Sequence, residues 1–263
     1  MVTALSAEIE RPPSALLALT ELPRALAELG SLPAAAPLLA TAPRGDGHPV
    51  MVLPGFVTSD ISTTILRRYL KRLGYDAHRW ELGRNLGPKA IGLEGERLAA
   101  RIEAIHAATG RTVSLVGWSL GGVMARIMAR RMPEAVRQVI SLGSPFAGSP
   151  RATNVWRLYE LLTGQLIDDD HTSGQLAEGT TPPPVPSTAI WSREDGIVAW
   201  QSCVEPEAAI SDNIQVHGSH CGLGVNPAVL YAIADRLALP EGKWRPFRRN
   251  GLRALIYPRA GHA

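Results

Sequence analysis

The stretch LVGWSLGG, residues Leu115–Gly122, constrains the fold of this chain more tightly than any other feature. An apolar run ends at Ser119, helical spacing follows it, and glycines stand two positions before and two positions after the serine. Where a strand turns this sharply into a helix, those positions pass so close to neighbouring backbone that only glycine fits. The stretch therefore predicts a buried strand, a strained turn at Ser119 and a helix that begins directly after it.

The same succession of apolar run and helical pattern recurs along most of the chain. Runs such as PVMVLPGF and VRQVISLGSP are typical of strands buried on both faces, and STTILRRYLKRLG has the spacing of a helix. Strands that alternate with helices pair in parallel, and the helices cover both faces of the sheet. We therefore expect an α/β fold with a mostly parallel central sheet and helices on both faces.

Four segments follow from these patterns. Residues 48–240 are expected to form the α/β core, in which residues 150–186 break the alternation and are expected to be a small cap or lid insertion. Residues 241–263 form a basic C-terminal tail, and residues 1–47, which are rich in Ala, Leu and Pro, form an N-terminal helical arm.

The arm is expected to consist of short helices that Pro23, Pro33 and Pro37 interrupt. Leucines recur in it at spacings of three or four, which predicts one buried face; they are Leu16, Leu19, Leu22, Leu26 and Leu29. We favour an arm packed on its own domain over one that binds an interface or a second copy of the chain.

Charge is concentrated at the end of the chain. From Glu241 to Ala263, six basic residues and one acidic residue give +5, so the first 240 residues carry −2 of the total of +3. A basic tail without a wider basic stripe argues against a nucleic-acid partner. No uncharged apolar run reaches the ~18 residues of a membrane-spanning helix, and MVTALSAEIERPPS lacks the basic start of a signal peptide. We therefore expect no integral membrane segment and a cytoplasmic location, with secretion of a trimmed form left open.

Ser119 has the surroundings of a nucleophile. The strained turn lifts its hydroxyl out of the sheet, and the N–H of Leu120 at the start of the following helix can hold an oxyanion. A serine hydroxyl needs a base and an acid that orients the base, in the chain order Ser, acid, His. Asp195 and His220 follow strands in that order and are the preferred acid and base.

Two neighbours compete with these residues. Glu194 adjoins Asp195, but Asp195 stands in the turn sequence DGIV, and His217 lies at a strand end whereas His220 lies in the loop beyond it. The second oxyanion donor is expected in the loop LPGFVTSD, where Gly55 allows close approach and the N–H of Phe56 is the candidate.

No metal or organic cofactor is expected. Two cysteines cannot supply a metal site by themselves, and three adjacent carboxylates on a loop, Asp168–Asp170, are more often solvated than bound to a cation. Thr58 and Ser59 follow Phe56 and are candidates for lining a substrate pocket.

With the motifs LPGF, GWSLGG, LGSPFAG, REDGIV and GSHCGLG in this order, the chain resembles the α/β-hydrolase superfamily over residues 48–240, and within it the bacterial lipase-like esterases. One departure is Pro54–Gly55, where lipases usually have His-Gly. The resemblance implies hydrolysis of carboxylic esters through an acyl-serine at Ser119, with His220 as proton shuttle and Asp195 as its partner. The expected substrate is a small-molecule or lipid-like ester, and the oligomeric state is undetermined.

The resemblance also gives meaning to residues near the triad. Trp118 is implied in substrate binding, and apolar residues of the insertion are implied in an acyl pocket or lid, with plain core packing as the alternative: Trp156, Leu158, Tyr159, Leu161 and Leu162. Cys203 and Cys221 would come into one neighbourhood, so a disulfide between the acid and base loops is left open. An acyltransferase or cofactor-free perhydrolase with the same triad, and a non-catalytic binding scaffold, are the competing functions.

Overall fold

The central feature of the computed structural model is a six-stranded sheet in the order β2-β1-β3-β4-β5-β6, in which every neighbouring pair is parallel. The structure describes residues 11–149, 151–166, 174, 178–251 and 253–258. The strands are β1 (Pro49–Leu53), β2 (Asp76–Arg79), β3 (Val113–Trp118), β4 (Val136–Leu142), β5 (Ser187–Ser192) and β6 (Ser211–Val216). The predicted α/β class and parallel sheet are confirmed.

Helices cover both faces of the sheet, because the strands present apolar side chains on alternate faces. Met51 and Leu53 pack on the side of the helices Glu96–Thr109 and Leu120–Arg131, while Val50 and Val52 pack on the side of the helices Thr64–Leu73 and Pro227–Leu237. The helices with bounds in the described residues are α1 (Ala15–Leu19), α2 (Glu21–Ala40), α3 (Thr64–Leu73), α4 (Pro88–Ile91), α5 (Glu96–Thr109), α6 (Leu120–Arg131), α7 (Trp156–Thr163), α8 (Pro227–Leu237) and α9 (Arg253–Ile256).

The strand order reverses direction between β1 and β3, which places a crevice at the carboxyl ends of these two strands. Leu53 pairs with Gly117 at the end of the two strands, so the loop after β1 and the turn after β3 lie side by side. Both predicted oxyanion donors follow these strand ends. The topology therefore assembles the predicted site at one edge of the sheet.

The proline prediction for the arm was wrong. Pro33 and Pro37 lie inside α2, a continuous helix of 20 residues, and Pro23 lies in its first turn. A proline in the first turn removes no intrahelical hydrogen bond. The two interior prolines are exposed, so water can reach the carbonyl groups that they leave unpaired. The arm is therefore one long helix after the short α1.

The leucine face of the arm was also predicted wrongly, because those leucines face solvent. Leu22 and Leu26 are 69% and 68% exposed, and Leu16, Leu19 and Leu29 are exposed as well. Instead α2 buries Glu21, and it packs against α8 through other residues such as Leu32 and Leu39. The face of α2 that packs against the rest of the protein is thus the one with Glu21, and the leucine spacing does not predict it.

The insertion and the tail both lie against the core where they are described. The insertion contributes α7, and the tail buries Phe247 and Tyr257, whose rings meet edge to face. Asp168–Asp170 lie outside the described residues. Among the residues that are described, no helix is both long and apolar enough to cross a membrane.

Candidate active site

The turn between β3 and α6 has the strained geometry that its glycines predict. Ser119 adopts φ 52° and ψ −123°, and its N–H donates to the carbonyl of Leu142 at the end of β4 at 2.8 Å. A Cβ on Gly117 would come within 2.4 Å of the Cα of Gly122, and one on Gly121 within 2.6 Å of the carbonyl oxygen of Pro54. Close backbone packing therefore requires both glycines and fixes the position of Ser119.

Asp195 and His220 are hydrogen-bonded although 25 residues separate them. Nδ1 of His220 lies 2.6 Å from Oδ2 of Asp195, and both side chains are buried. The other oxygen of Asp195 accepts hydrogen bonds from the N–H groups of Ile197 and Val198 at 2.9 and 2.7 Å. The carboxylate is thus held from two sides, and Nε2 is the ring nitrogen of His220 left to take up a proton.

The two competing residues pair with each other instead. Nδ1 of His217 lies 2.7 Å from Oε1 of Glu194, and the side chain of His217 is 67% exposed whereas that of His220 is 7% exposed. An exposed contact of this kind contributes little to stability. The structure therefore brings Asp195 together with His220 and leaves Glu194 and His217 at the surface.

The serine turn and the end of β4 both lie against the Asp195–His220 pair. Nε1 of Trp118 donates to the carbonyl of His220 at 3.1 Å, and the centroids of the two rings are 6.5 Å apart. Gly143, the residue after β4, also lies close to the pair. A Cβ added to Gly143 would be 3.1 Å from both Oδ2 of Asp195 and Nδ1 of His220. The ends of β3, β4 and the base loop therefore meet at the same edge of the sheet.

The electrostatic surroundings of His220 favour its charged form. Burial lowers the pKa of the imidazole, but the charge of Asp195, the hydrogen bond to it and the charge of Glu21 outweigh burial, so the pKa is raised above its ordinary value of 6.5. Glu21 belongs to the arm and was missed by the sequence reasoning. It lies 199 residues from His220, and a helical glutamate carries no local signal of such a contact.

Phe56 and Leu120, the predicted oxyanion donors, both line the cavity beside Ser119. The N–H groups of Phe56 and Leu120 donate no hydrogen bond to any part of the chain that the structure describes. A Cβ on Gly55 would lie 3.4 Å from that of Ser119, so the loop after β1 approaches the turn closely. Asn85 fixes this loop, because its side chain donates to the carbonyl of Pro54 and its own carbonyl accepts from the N–H of Val57.

An apolar cavity of about 110 Å³ opens beside Ser119. One face of α6 forms its wall from the serine onward, with side chains three or four positions apart, so the cavity follows the helix axis. Trp156 and Tyr159 of the insertion also line the cavity, whereas Leu158 and Leu161 are exposed. The α6 residues that line it are Leu120, Val123, Met124, Ile127, Met128 and Arg131.

The remaining predicted pocket residues do not line this cavity. Gly55 contacts the serine turn, Trp118 packs towards His220 and Gly224, and the hydroxyl of Thr58 donates to the carbonyl of Gly55 at 2.8 Å. A substrate-binding part for these residues stays a prediction. Cys203 and Cys221 are free thiols, so no disulfide joins the acid and base loops.

Comparison with known proteins finds likenesses over parts of the chain. A model of the PGAP1-like alpha/beta domain matches residues 97–178. A triacylglycerol lipase of Pseudarthrobacter phenanthrenivorans is 43% identical over 56 residues, which cover 21% of this chain and 18% of that lipase. The chain thus matches less than a fifth of the length of this relative.

Solved structures extend the likeness over most of the chain. Lipase B of Aspergillus fumigatus superposes with a TM-score of 0.58 at 21% identity, over 78% of this chain and 56% of the lipase. A monoacylglycerol lipase of Paleococcus ferrophilus superposes with a TM-score of 0.52 at 15% identity, over 73% and 96% of the two chains. The parallel sheet, the strained serine turn and these likenesses show that the chain has the α/β-hydrolase fold.

Proposed function

We propose that this chain is a serine carboxylic ester hydrolase in which Ser119 is the nucleophile, His220 the general base and Asp195 the residue that orients the base. The observation that carries the proposal is the buried 2.6 Å hydrogen bond between Asp195 and His220, beside a serine with a strained backbone. A binding scaffold has no need of this combination, since a strained serine and a buried carboxylate both cost stability.

The proposed reaction assigns one role to each of these groups. Oγ of Ser119 attacks the ester carbonyl while Nε2 of His220 takes its proton, and Asp195 stabilises the resulting imidazolium. The N–H groups of Phe56 and Leu120 hold the oxyanion of the tetrahedral intermediate. The imidazolium then protonates the leaving alcohol, an acyl-serine remains, and water attacks it by the same sequence of steps.

The proposed substrate class is esters of short to medium acyl chains. The cavity beside Ser119 has apolar walls and is suited to an acyl chain along α6, while its volume of about 110 Å³ favours the shorter chains. The relatives named as triacylglycerol lipases support an ester with an apolar acyl group.

Hydrolysis of p-nitrophenyl esters from acetate to palmitate tests the proposal. We expect the wild-type protein to be most active on short and medium chains, and Ser119→Ala to lose activity by several orders of magnitude. Ser31→Ala, at an exposed serine of the arm, is the matched control and should keep wild-type rates. Equal rates for wild type and Ser119→Ala would refute the proposal, and products formed with an added alcohol instead of water would assign acyl transfer.

A further inference from the structure

We propose that Glu21 on the N-terminal arm is a positioning residue for the catalytic base, because its one carboxylate ties the loop of Asp195 to the loop of His220. The inference rests on the proposed function, in which these two loops supply the acid and the base. The N-terminal arm then contributes to the geometry of the candidate active site and does not only pack against the domain.

The acid loop meets Glu21 directly after Asp195. The N–H of Gly196 donates to Oε1 of Glu21 at 2.7 Å. The arm lies so close that a Cβ on Gly196 would stand 2.4 Å from the carbonyl oxygen of Leu17. Arg24, one turn along α2, also donates to the carbonyl of Glu194 at 2.7 Å. The backbone on both sides of Asp195 is thus fixed by the arm.

The base loop meets the same carboxylate at His220 itself. The N–H of His220 donates to Oε1 of Glu21 at 3.1 Å, and the N–H of Cys221 donates to Oε2 at 2.8 Å. Arg24 donates to Oε1 as well, at 2.9 Å. With three backbone N–H groups and one guanidinium as donors, the carboxylate of Glu21 is satisfied although its residue is only 3% exposed.

Glu28 provides an internal comparison on the same face of α2. Two turns after Glu21, its carboxylate accepts from the N–H and the hydroxyl of Ser219 and from the side chain of Asn226. Within the described residues these donors all belong to the base loop and the cap of α8, and none belongs to the acid loop. Glu28 therefore anchors one loop, whereas Glu21 joins the two.

Joining the loops controls where Nε2 of His220 points. The backbone N–H of His220 is bonded to Glu21, and Nδ1 of its ring is bonded to Asp195, whose loop is also bonded to Glu21. A change in the position of either loop therefore displaces the imidazole. The charged and titratable groups around the imidazole are Asp195, Glu21 with its partner Arg24, and the thiol of Cys221. Burial, together with the charge of Glu21, raises the pKa of that thiol to about 12, so it stays neutral.

The test compares Glu21→Gln with Glu28→Gln and with Glu103→Gln, a control at an exposed glutamate of α5. A glutamine offers one oxygen and no charge, so the N–H of Cys221 loses its acceptor. We expect Glu21→Gln to lower kcat for p-nitrophenyl butyrate by about 10- to 100-fold, with a KM that stays within about threefold of wild type. Glu103→Gln should match wild type in both constants.

The pH profile separates positioning from a general loss of stability. Removing the charge of Glu21 disfavours the imidazolium, so the acid limb of kcat/KM should move to lower pH in Glu21→Gln. It should stay in place in Glu28→Gln, even if both variants unfold at a lower temperature. Glu21→Asp keeps the charge but is one methylene shorter, so it should keep the wild-type acid limb with a reduced kcat.

Titration of the His220 imidazole by NMR, assigned with His220→Gln, gives a readout that does not depend on turnover. A folded Glu21→Gln protein with wild-type kcat and a wild-type titration of His220 overturns the inference. If Glu21→Gln does not fold, a wild-type kcat in Glu21→Asp overturns it in the same way. A wild-type protein that hydrolyses no ester refutes the proposed function instead, and the NMR titration then still decides whether Glu21 acts on His220.

Discussion

Replacing Gly117 with alanine tests whether backbone packing holds Ser119 in place. A Cβ at this position would lie 2.4 Å from both the carbonyl oxygen of Gly121 and the Cα of Gly122, about 1 Å short of the 3.4 Å at which ordinary contact begins. Because the obstructing atoms belong to the backbone, no side chain can rotate away, and β3 must move relative to α6. We expect the free energy of unfolding to fall by about 3 kcal/mol, which corresponds to about 6–12 °C in Tm.

The same displacement of β3 relative to α6 should also lower the rate of ester hydrolysis. Ser119 begins the turn two residues beyond Gly117, and a misplacement of about 1 Å at a reacting group lowers the rate by about 10²-fold. Thermal unfolding followed by circular dichroism gives Tm, and hydrolysis of p-nitrophenyl butyrate gives kcat/KM at a temperature where both proteins are folded. Gly30→Ala in α2, where a Cβ meets nothing within 4 Å, is the control and should keep Tm and rate or gain slightly in Tm. Wild-type Tm and kcat/KM in Gly117→Ala would refute this reasoning.

Three further predictions concern the triad and the cavity. The acid limb of kcat/KM should lie above pH 6.5, because only the neutral imidazole of His220 accepts the proton and its pKa is raised. Asp195 and Glu21 raise this pKa against the lowering effect of burial. An acid limb below pH 6.5 would contradict this explanation. Asp195→Asn should lower kcat by about 10³–10⁴-fold, whereas Glu194→Gln at the exposed neighbour should change it less than about threefold; similar losses in both variants would argue against Asp195 as the acid. Ile127→Trp, which fills the cavity along α6, should reduce kcat/KM for p-nitrophenyl octanoate far more than for the acetate, and equal losses would mean that the acyl chain lies elsewhere.

The elements of the sheet could be predicted because their signals are local. The apolar run before Ser119 became β3, and the helical pattern of STTILRRYLKRLG became α3, which Gly74 ends with φ 96°. The side chain of Asn226 caps α8 by accepting from the N–H groups of Ala228 and Val229, directly before the proline that begins the helix. Each of these features depends on residues within one or two turns of one another.

The choice between neighbouring candidates for the acid and the base was only partly open to prediction. Adjacent residues such as Asp195 and Glu194 have nearly the same sequence surroundings, and turn chemistry could rank them but could not locate a partner for either. The pairing of Asp195 with His220, and of Glu194 with His217, depends on how two loops fold back over the sheet edge. That information is tertiary.

The amino-acid sequence by itself determined the parallel sheet and the serine turn, because glycine spacing and apolar periodicity act through neighbouring residues. Only the tertiary structure decided the orientation of the arm. The leucine spacing predicted that the leucines would be buried, yet α2 turns Glu21 and Glu28 inwards, since the loops of Asp195 and His220 present backbone N–H groups that need acceptors. A buried donor left without an acceptor costs more than an exposed leucine, and no pattern within the arm reveals where donors 175 to 199 residues away will lie.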